Sequence, residues 1–326
     1  MPMDQASFFV LILLVAFILL IYPKKKALAY EAESKKPTIV LAAFGTTVPE
    51  ALGDLENIVR KVTEAFPDCD IRLSFTSNII RSVWRKRAQS QPCELNIKYA
   101  SVLNPLSVLA DIQETGAGAV LIQSLHITDG EEYQNLAVLV KALADQQTLQ
   151  RSLRPFPYLK LGPPALGLGD GHPKYLDRAA VALADLLREA KERSDALVLM
   201  GHGNERLSQE VFFKFLGKLR EHYQRVFLGT VEAEPLGPKI AQEVANNPPP
   251  SGRVIMAPLM VVAGDHARND MAGPDPDSWR SLLIEKGFEV EARLSGLGSL
   301  DAWADIYVES LRVLYQQMKS DYEFAG

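Results

Sequence analysis

Cysteine is scarce in this chain of 326 residues, and positive charge is not in excess. The two cysteines, Cys69 and Cys93, form no C-x-x-C or C-x-x-C-H pattern, which excludes a finger-type zinc site and a c-type haem attachment. Two free thiols are favoured over one disulfide. The net charge of −5 gives no indication of nucleic-acid binding. No P-loop is present, so we expect no nucleotide site.

The amino terminus contains an apolar run at 8–22, which is shorter than the roughly 20 residues of a membrane-spanning helix. The small-residue sequence 27–29 resembles a signal-peptide cleavage site. We therefore expect 1–29 to be removed on export to the periplasm. The alternative is that 8–22 remains as an uncleaved membrane anchor. The lysines at 24–26 follow this run, and the positive-inside tendency would then keep them and the domain on the cytoplasmic face.

The rest of the chain has the balance of a folded globular protein, with 47% hydrophobic and 23% charged residues, and is long enough for two domains. A strand beginning at Thr38 is predicted to run into the turn Gly45-Thr46-Thr47. Further predicted strands are 71–75, 117–124, 158–161, 196–200, 226–231, 254–262 and 290–294. Predicted helices are 49–66, 77–87, 102–115, 138–153, 174–193, 208–223, 238–246, 278–286 and 303–318.

This alternation of strands and helices is typical of parallel sheets in an α/β protein. Glycine and proline are dense at 162–173, so we predict a domain boundary there, between an N-terminal domain at 37–165 and a C-terminal domain at 166–326. A buried strand, a glycine turn and a helix follow one another at 39–46 and again at 197–204. The repetition predicts two similar doubly wound domains that face a central cleft.

Three predicted strand ends in the second domain carry side chains that can bind a metal: His202, Glu232 and His266. The carboxyl ends of parallel strands meet at one edge of a sheet, so these residues are expected to converge. Two imidazoles and a carboxylate suit Co²⁺, Fe²⁺, Ni²⁺ or Zn²⁺. The alternative is two turn histidines and one solvated glutamate.

From about Pro37 to Leu314 the chain resembles the anaerobic cobalt chelatases that insert Co²⁺ into sirohydrochlorin, a branch of the class II chelatases with a ferrochelatase-like fold. The most specific matching stretch is Gly264-Asp-His-Ala-Arg-Asn-Asp270. The other matching stretches are Ala43-Phe-Gly-Thr-Thr47, Phe75-Thr-Ser-Asn-Ile-Ile-Arg81, Gln123-Ser-Leu-His-Ile-Thr-Asp-Gly-Glu-Glu-Tyr133, Met200-Gly-His-Gly203, Val231-Glu232, Asp277-Ser-Trp279 and Leu294-Ser-Gly-Leu-Gly298. The apolar amino terminus differs from the many cytoplasmic members and resembles the exported members of sulphate reducers.

The resemblance implies a macrocycle in the cleft, His202 and His266 as the metal-binding pair, and Glu232 as their carboxylate partner. The histidines and Glu132 are the candidate proton acceptors for catalysis, although Glu132 also suits a helix start. Substrate-binding candidates are His126, Arg81, Arg268 and Thr46. A positive rim is expected because sirohydrochlorin carries eight carboxylates, and Arg81 begins a basic stretch that ends at 87. The alternative is that this stretch is only the solvated end of a helix.

The resemblance also implies that Co²⁺ is the substrate metal and that no ATP or other nucleotide is used. The ligand set suits Fe²⁺ as well as Co²⁺, and the sequence leaves the oligomeric state open, a homo-oligomer included. A rival hypothesis is an exported protein that binds or transports a metal or tetrapyrrole without chelatase chemistry. The full set of His202, Glu232 and His266 with Glu132 favours the enzyme, because a carrier needs no proton acceptor.

Overall fold

The computed structural model describes residues 36–116, 118–146, 155–168, 173–203 and 208–323, and the predicted signal peptide or anchor at 1–29 lies outside these residues. The described strands form two sheets of four parallel strands. None of the described helices combines the length and apolar character needed to cross a membrane.

The first sheet has the strand order β2-β1-β3-β4, with all neighbours parallel. Its central strands, β1 and β3, are buried along their whole length, which explains their continuous apolar sequences. The strand bounds are β1 Thr38–Ala43, β2 Asp70–Phe75, β3 Ala119–Ser124 and β4 Tyr158–Gly162.

The second sheet repeats this topology in the order β6-β5-β7-β8, again all parallel. Because each half of the chain builds a sheet of the same order, the predicted α/β class with two similar parallel sheets is confirmed. In each sheet the first strand lies between the second and third, so each has a switch point where ligands bind in α/β proteins. The bounds are β5 Ala196–Gly201, β6 Val226–Thr230, β7 Arg253–Pro258 and β8 Glu289–Ala292.

Helices connect the strands, and several helices and one strand differ from the predicted elements. The predicted helix 138–153 begins at Glu131, because Gly130 is an extended N-cap directly before it. The predicted helix 174–193 is two helices that meet at Leu183. A short helix at 94–100 was not predicted, and the predicted strand 254–262 ends at Pro258. The helices are α1 Leu52–Ala65, α2 Asn78–Ser90, α3 Glu94–Ala100, α4 Pro105–Glu114, α5 Glu131–Ala144, α6 Pro173–Ala182, α7 Ala184–Arg193, α8 Ser208–His222, α9 Gly237–Asn246, α10 Trp279–Glu285 and α11 Asp301–Glu323.

The largest apolar core includes residues of both halves, from Ile39 and Phe75 to Phe215 and Trp303. The last helix, α11, packs against α1, β3 and β4 of the first half, beyond the boundary predicted near residue 165. Its Tyr307 hydroxyl donates a hydrogen bond of 3.1 Å to the Leu125 carbonyl just after β3. The two halves therefore share buried surface.

Candidate metal centre

Three side chains from the segments that follow β5, β6 and β7 meet in one cluster, which we call the triad: His202, Glu232 and His266. One ligand atom from each lies within 4.8 Å of those of the other two. The imidazole centroids are 4.9 Å apart with the rings nearly perpendicular, and His202 Nδ1 lies 3.4 Å from Glu232 Oε2. The expected convergence of these residues is therefore present in the structure.

His202 is held by the backbone at the ends of β5 and β6. The Val231 amide donates 3.1 Å to the Gly201 carbonyl, and the Glu232 amide donates 3.0 Å to the His202 carbonyl, so His202 and Glu232 stay side by side. Gly203 follows with φ of +89°, and a Cβ there would lie 2.6 Å from Thr230 Oγ1. Only glycine fits this turn without strain.

His266 lies in the loop after β7, just before the π-helical turn Ala267–Met271. Its Nδ1 lies 2.7 Å from Asp270 Oδ2, four residues later. Such turns are frequent at functional sites, and carboxylates often orient histidines that bind metals. Asp270 was not predicted as a site residue, although a spacing of four residues from His266 was a usable signal for contact on one helical face.

In both triad histidines Nδ1 makes a hydrogen bond with a neighbouring oxygen. His202 Nδ1 is 3.1 Å from the Gly203 carbonyl oxygen, which can only accept, so Nδ1 carries the proton in that contact. The Asp270 carboxylate favours the same tautomer in His266. Nε2 of each ring is then left with its lone pair for a metal ion. The triad side chains are between 36% and 53% exposed, so an ion from solvent can reach them.

A buried carboxylate from the first half supports the His266 loop. Asp54, on α1, accepts two hydrogen bonds of 3.0 Å at Oδ2, from the amides of Ala263 and Gly296. Burial raises the pKa of Asp54, and the two amide bonds and the charge of Arg268 act in the opposite direction. Asp54 therefore ties the first half to two loops of the second, one of which leads into His266 three residues after Ala263.

The predicted substrate-binding residues occupy different positions around this centre. Thr46 is buried, and its hydroxyl accepts from the Val48 amide at 3.1 Å, so it shapes the turn after β1. A Cβ on Gly264 would lie 3.3 Å from Thr46 Oγ1, which places this turn beside the His266 loop. Arg268 is half-buried, and its Nη2 lies 3.9 Å from Glu50 Oε2.

Glu132 lies in the first turn of α5, where a carboxylate interacts favourably with the helix dipole. It is half-buried and makes no hydrogen bond or ion pair with the other described residues. Its carboxylate is not part of the triad cluster. Its side chain is therefore available for another role.

His126 and Arg81 lie at the carboxyl edge of the first sheet. His126 Nδ1 is 2.8 Å from Ser124 Oγ, and burial lowers the pKa of His126 to about 4. Arg81 is 6% exposed, and burial lowers its pKa, with a smaller effect of the same sign from Arg85. Its Nη2 donates to Asn78 Oδ1. Neither residue belongs to the triad.

Residues 37–315 match the sequence profile of the family described as Cobalt chelatase (CbiK). The chain is 31% identical over 277 residues to the sirohydrochlorin cobaltochelatase CbiKC of Nitratidesulfovibrio vulgaris, with 85% of this chain and 89% of that protein covered. It is 30% identical over 283 residues to the sirohydrochlorin cobaltochelatase of Salmonella typhimurium, with coverage of 85% and 95%.

Solved structures of lower similarity include that of CbiX, the terminal enzyme for biosynthesis of siroheme in denitrifying bacteria. The TM-score is 0.48 at 14% identity, and the alignment covers 85% of this chain and 98% of the other. A multi-domain protein of Deinococcus radiodurans with structural similarity to chelatases has a TM-score of 0.45 at 12% identity, with 85% of this chain and 54% of the other covered.

Proposed function

This chain belongs to the CbiK family of cobalt chelatases, and from that membership we propose that it is an enzyme that inserts Co²⁺ into sirohydrochlorin. Two relatives of about 30% identity that align over most of both chains carry the name sirohydrochlorin cobaltochelatase. The observation that carries the proposal on the structural side is the triad, whose ligand atoms lie within 4.8 Å of one another. Two imidazoles and one carboxylate are suitable ligands for Co²⁺.

In the proposed mechanism, Nε2 of His202 and of His266 and a Glu232 oxygen bind Co²⁺ before it is transferred to the macrocycle. Insertion replaces two pyrrole N–H bonds by bonds to cobalt and releases two protons, with no change of oxidation state. The reaction therefore needs proton acceptors but no redox partner. We propose that it also needs no ATP, because each step exchanges one set of metal bonds for another.

We assign the macrocycle to the cleft between the two halves. The assignment is supported by the contact between the turn at Thr46, from the first half, and the His266 loop, from the second, since a Cβ on Gly264 would lie 3.3 Å from Thr46 Oγ1. Glu132 belongs to the opposite half from the triad and is proposed as an acceptor for a pyrrole proton. Arg81, His126 and Arg268 are proposed to bind the periphery of the substrate, because carboxylates pair well with arginine.

The test is an anaerobic insertion assay with purified sirohydrochlorin and Co²⁺, followed by visible spectroscopy. His202→Ala and His266→Ala should each abolish insertion at a Co²⁺ concentration that limits the wild type. His222→Ala is the matched control, since His222 is an exposed residue at the end of α8. Full turnover by either triad variant would remove that histidine from the mechanism. A wild type that binds Co²⁺ or sirohydrochlorin without inserting the metal would support the carrier hypothesis instead.

The same assay with Fe²⁺ in place of Co²⁺ addresses the second candidate metal. The triad suits both ions, because imidazole and carboxylate ligands bind either. We propose Co²⁺ as the preferred substrate on the names of the relatives alone. A higher kcat/KM for Fe²⁺ would reverse this preference while leaving the site assignment in place.

We also propose that the protein is exported and cleaved near Tyr30, on the basis of the short apolar run 8–22 and the small residues at 27–29. The mature protein should then appear in the periplasmic fraction. Mass spectrometry of the purified protein checks the new terminus. A terminus at Met1 or Pro2 in the membrane fraction would support an anchor instead.

A further inference from the structure

The side chain of Thr230, the last residue of β6, is completely buried where the turn that carries His202 meets the loop 231–235, which we call the Glu232 loop. On the first side, Gly203 approaches so closely that a Cβ there would lie 2.6 Å from Thr230 Oγ1. On the second side, the Ala233 carbonyl accepts a hydrogen bond from the Thr230 hydroxyl. Thr230 therefore contacts the residue that follows each of two triad ligands.

A second side chain determines the direction of this hydrogen bond. Gln209, in the first turn of α8, places its Nε2 3.0 Å from Thr230 Oγ1. An amide N–H can only donate, so Thr230 Oγ1 accepts from Gln209 and its single proton is left for the Ala233 carbonyl, which can only accept. The opposite orientation of the Gln209 amide would make two oxygens compete for that one proton. The result is a directed chain of hydrogen bonds from α8 through β6 to the Glu232 loop.

The backbone of the Glu232 loop is closed on itself and on the His202 turn. The Thr230 amide donates 3.0 Å to the Pro235 carbonyl at the far end of the loop, and the Glu232 amide donates 3.0 Å to the His202 carbonyl. Thr230 thus holds the loop at two points, through its amide and through its hydroxyl. The Glu232 side chain is 53% exposed, so the position of its carboxylate depends on the loop that carries it.

We propose that Thr230 and Gln209 are positioning residues of the metal centre, which hold Glu232 beside His202 so that both ligands bind the same ion. The inference rests on the proposed function, because it requires the triad to bind Co²⁺. It gives neither residue a contact with the metal or the macrocycle, since the Thr230 hydroxyl is already used by Gln209 and Ala233. Removing a side chain that supports a metal ligand commonly weakens metal binding by roughly 10- to 100-fold.

The methyl and the hydroxyl of Thr230 have different surroundings, which allows their roles to be separated. The methyl packs near β5, since a Cβ on Gly201 would lie 3.4 Å from Thr230 Cγ2. The hydroxyl has two polar partners, one on α8 and one in the Glu232 loop. A loop that is ordered beforehand loses less conformational freedom when the ion binds. The hydroxyl should therefore determine Co²⁺ affinity, whereas the methyl should contribute to stability alone.

The test measures Co²⁺ affinity without macrocycle by calorimetry, together with the unfolding temperature and KM for sirohydrochlorin at saturating Co²⁺. Thr230→Val should lower Co²⁺ affinity about 10-fold or more, whereas Thr230→Ser keeps the hydroxyl and should stay within about threefold of the wild type. Both should lower the unfolding temperature, Thr230→Val because the Ala233 carbonyl loses its donor and Thr230→Ser because a buried methyl is lost. KM for sirohydrochlorin should stay within about threefold in both variants.

A third variant and two controls complete the set. Gln209→Leu should lower Co²⁺ affinity about threefold to 10-fold, less than Thr230→Val, because Thr230 can still donate to the Ala233 carbonyl. Thr63→Val and Gln224→Leu are the matched controls. Each removes an exposed side chain that donates to a backbone carbonyl four residues earlier, and neither should change Co²⁺ affinity.

The inference is overturned if Thr230→Val binds Co²⁺ as tightly as the wild type. It is also overturned if Thr230→Val and Thr230→Ser lose affinity equally, since Co²⁺ binding would then follow packing and not the hydroxyl. Should Thr230→Val fail to fold, an unchanged affinity in Gln209→Leu overturns the inference in its place. A wild type that binds Co²⁺ but does not insert it would contradict the proposed function alone, and a wild type that does not bind Co²⁺ would contradict both.

Discussion

Replacing His126 by glutamine should remove a pH dependence of stability that this imidazole, whose Nε2 is buried, imposes on the fold. Burial lowers the pKa of His126 from 6.5 to about 4. Above about pH 6.5 the ring is neutral in both the folded and the unfolded chain, so it adds no pH dependence to the free energy of unfolding. As the pH falls from there towards 4, the unfolded chain takes up a proton that the folded chain does not. The wild type therefore loses stability in this window.

The magnitude follows from the size of the shift. A difference of about 2.5 pH units at 1.36 kcal/mol per unit is about 3 kcal/mol. This is an upper figure, because any local opening that admits water to the ring reduces the cost of protonation. His126→Gln has no group that titrates there. Its free energy of unfolding relative to the wild type should therefore rise by up to about 3 kcal/mol between about pH 7 and about pH 4.

Equilibrium unfolding in urea at constant ionic strength, repeated across this pH range, measures the difference. Carboxyl groups with shifted pKa values also make stability depend on pH, among them Asp54, whose pKa is raised by burial, and Glu56, whose pKa is lowered by its hydrogen bond with Lys98. They are present in both proteins, so their contributions cancel in the comparison. His222→Gln controls for the loss of an exposed histidine. Parallel curves for wild type and His126→Gln would show that His126 titrates alike in the folded and unfolded states, and would contradict a pKa lowered by burial.

Three other substitutions test the centre itself. Asp270→Asn should lower Co²⁺ affinity, measured by calorimetry, about 10-fold, which is the lower end of the effect usual for residues that orient a metal ligand, because the pair with His266 is partly exposed. The control Asp265→Asn, one residue before His266, should leave Co²⁺ affinity unchanged. An affinity as high as that of the wild type would show that Asp270 does not orient His266. Glu132→Gln should lower the insertion rate on the order of 10²-fold and keep Co²⁺ affinity within about threefold. If the insertion rate and Co²⁺ affinity both fall strongly, Glu132 is a metal ligand or a structural support and not a proton acceptor. Gly203→Ala should lower stability by about 1–3 kcal/mol and weaken Co²⁺ binding, since the new Cβ meets Thr230. Gly252→Ala, at φ of +69° in open space, measures the backbone cost alone, and equal losses in both variants would rule out the contact with Thr230.

The sequence was sufficient for the α/β class and for the triad because both depend on local patterns. The apolar runs 39–43 and 196–200 are typical of buried strands and form them here, and their alternation with helices is typical of parallel pairing. A glycine turn after a strand places the next polar residue at the sheet edge, which is why His202 could be proposed as a site residue before its partners were seen. Glu232 and His266 were proposed because they follow later predicted strands, although the strand before His266 ends at Pro258, eight residues earlier.

The supports of the site depend on contacts that no local pattern encodes. Asp54 meets Ala263 across 209 residues and Gly296 across 242, and nothing around it in the sequence distinguishes it from a solvated residue in a first helical turn. The same holds for α11, whose apolar face could have packed on either sheet and packs on the first. The surroundings of His126 also required the structure, since the contact of its Nδ1 with Ser124 Oγ and the burial that lowers its pKa depend on tertiary packing. Side-chain types and turn chemistry are local properties, whereas burial and partner choice are decided only when the two halves pack together.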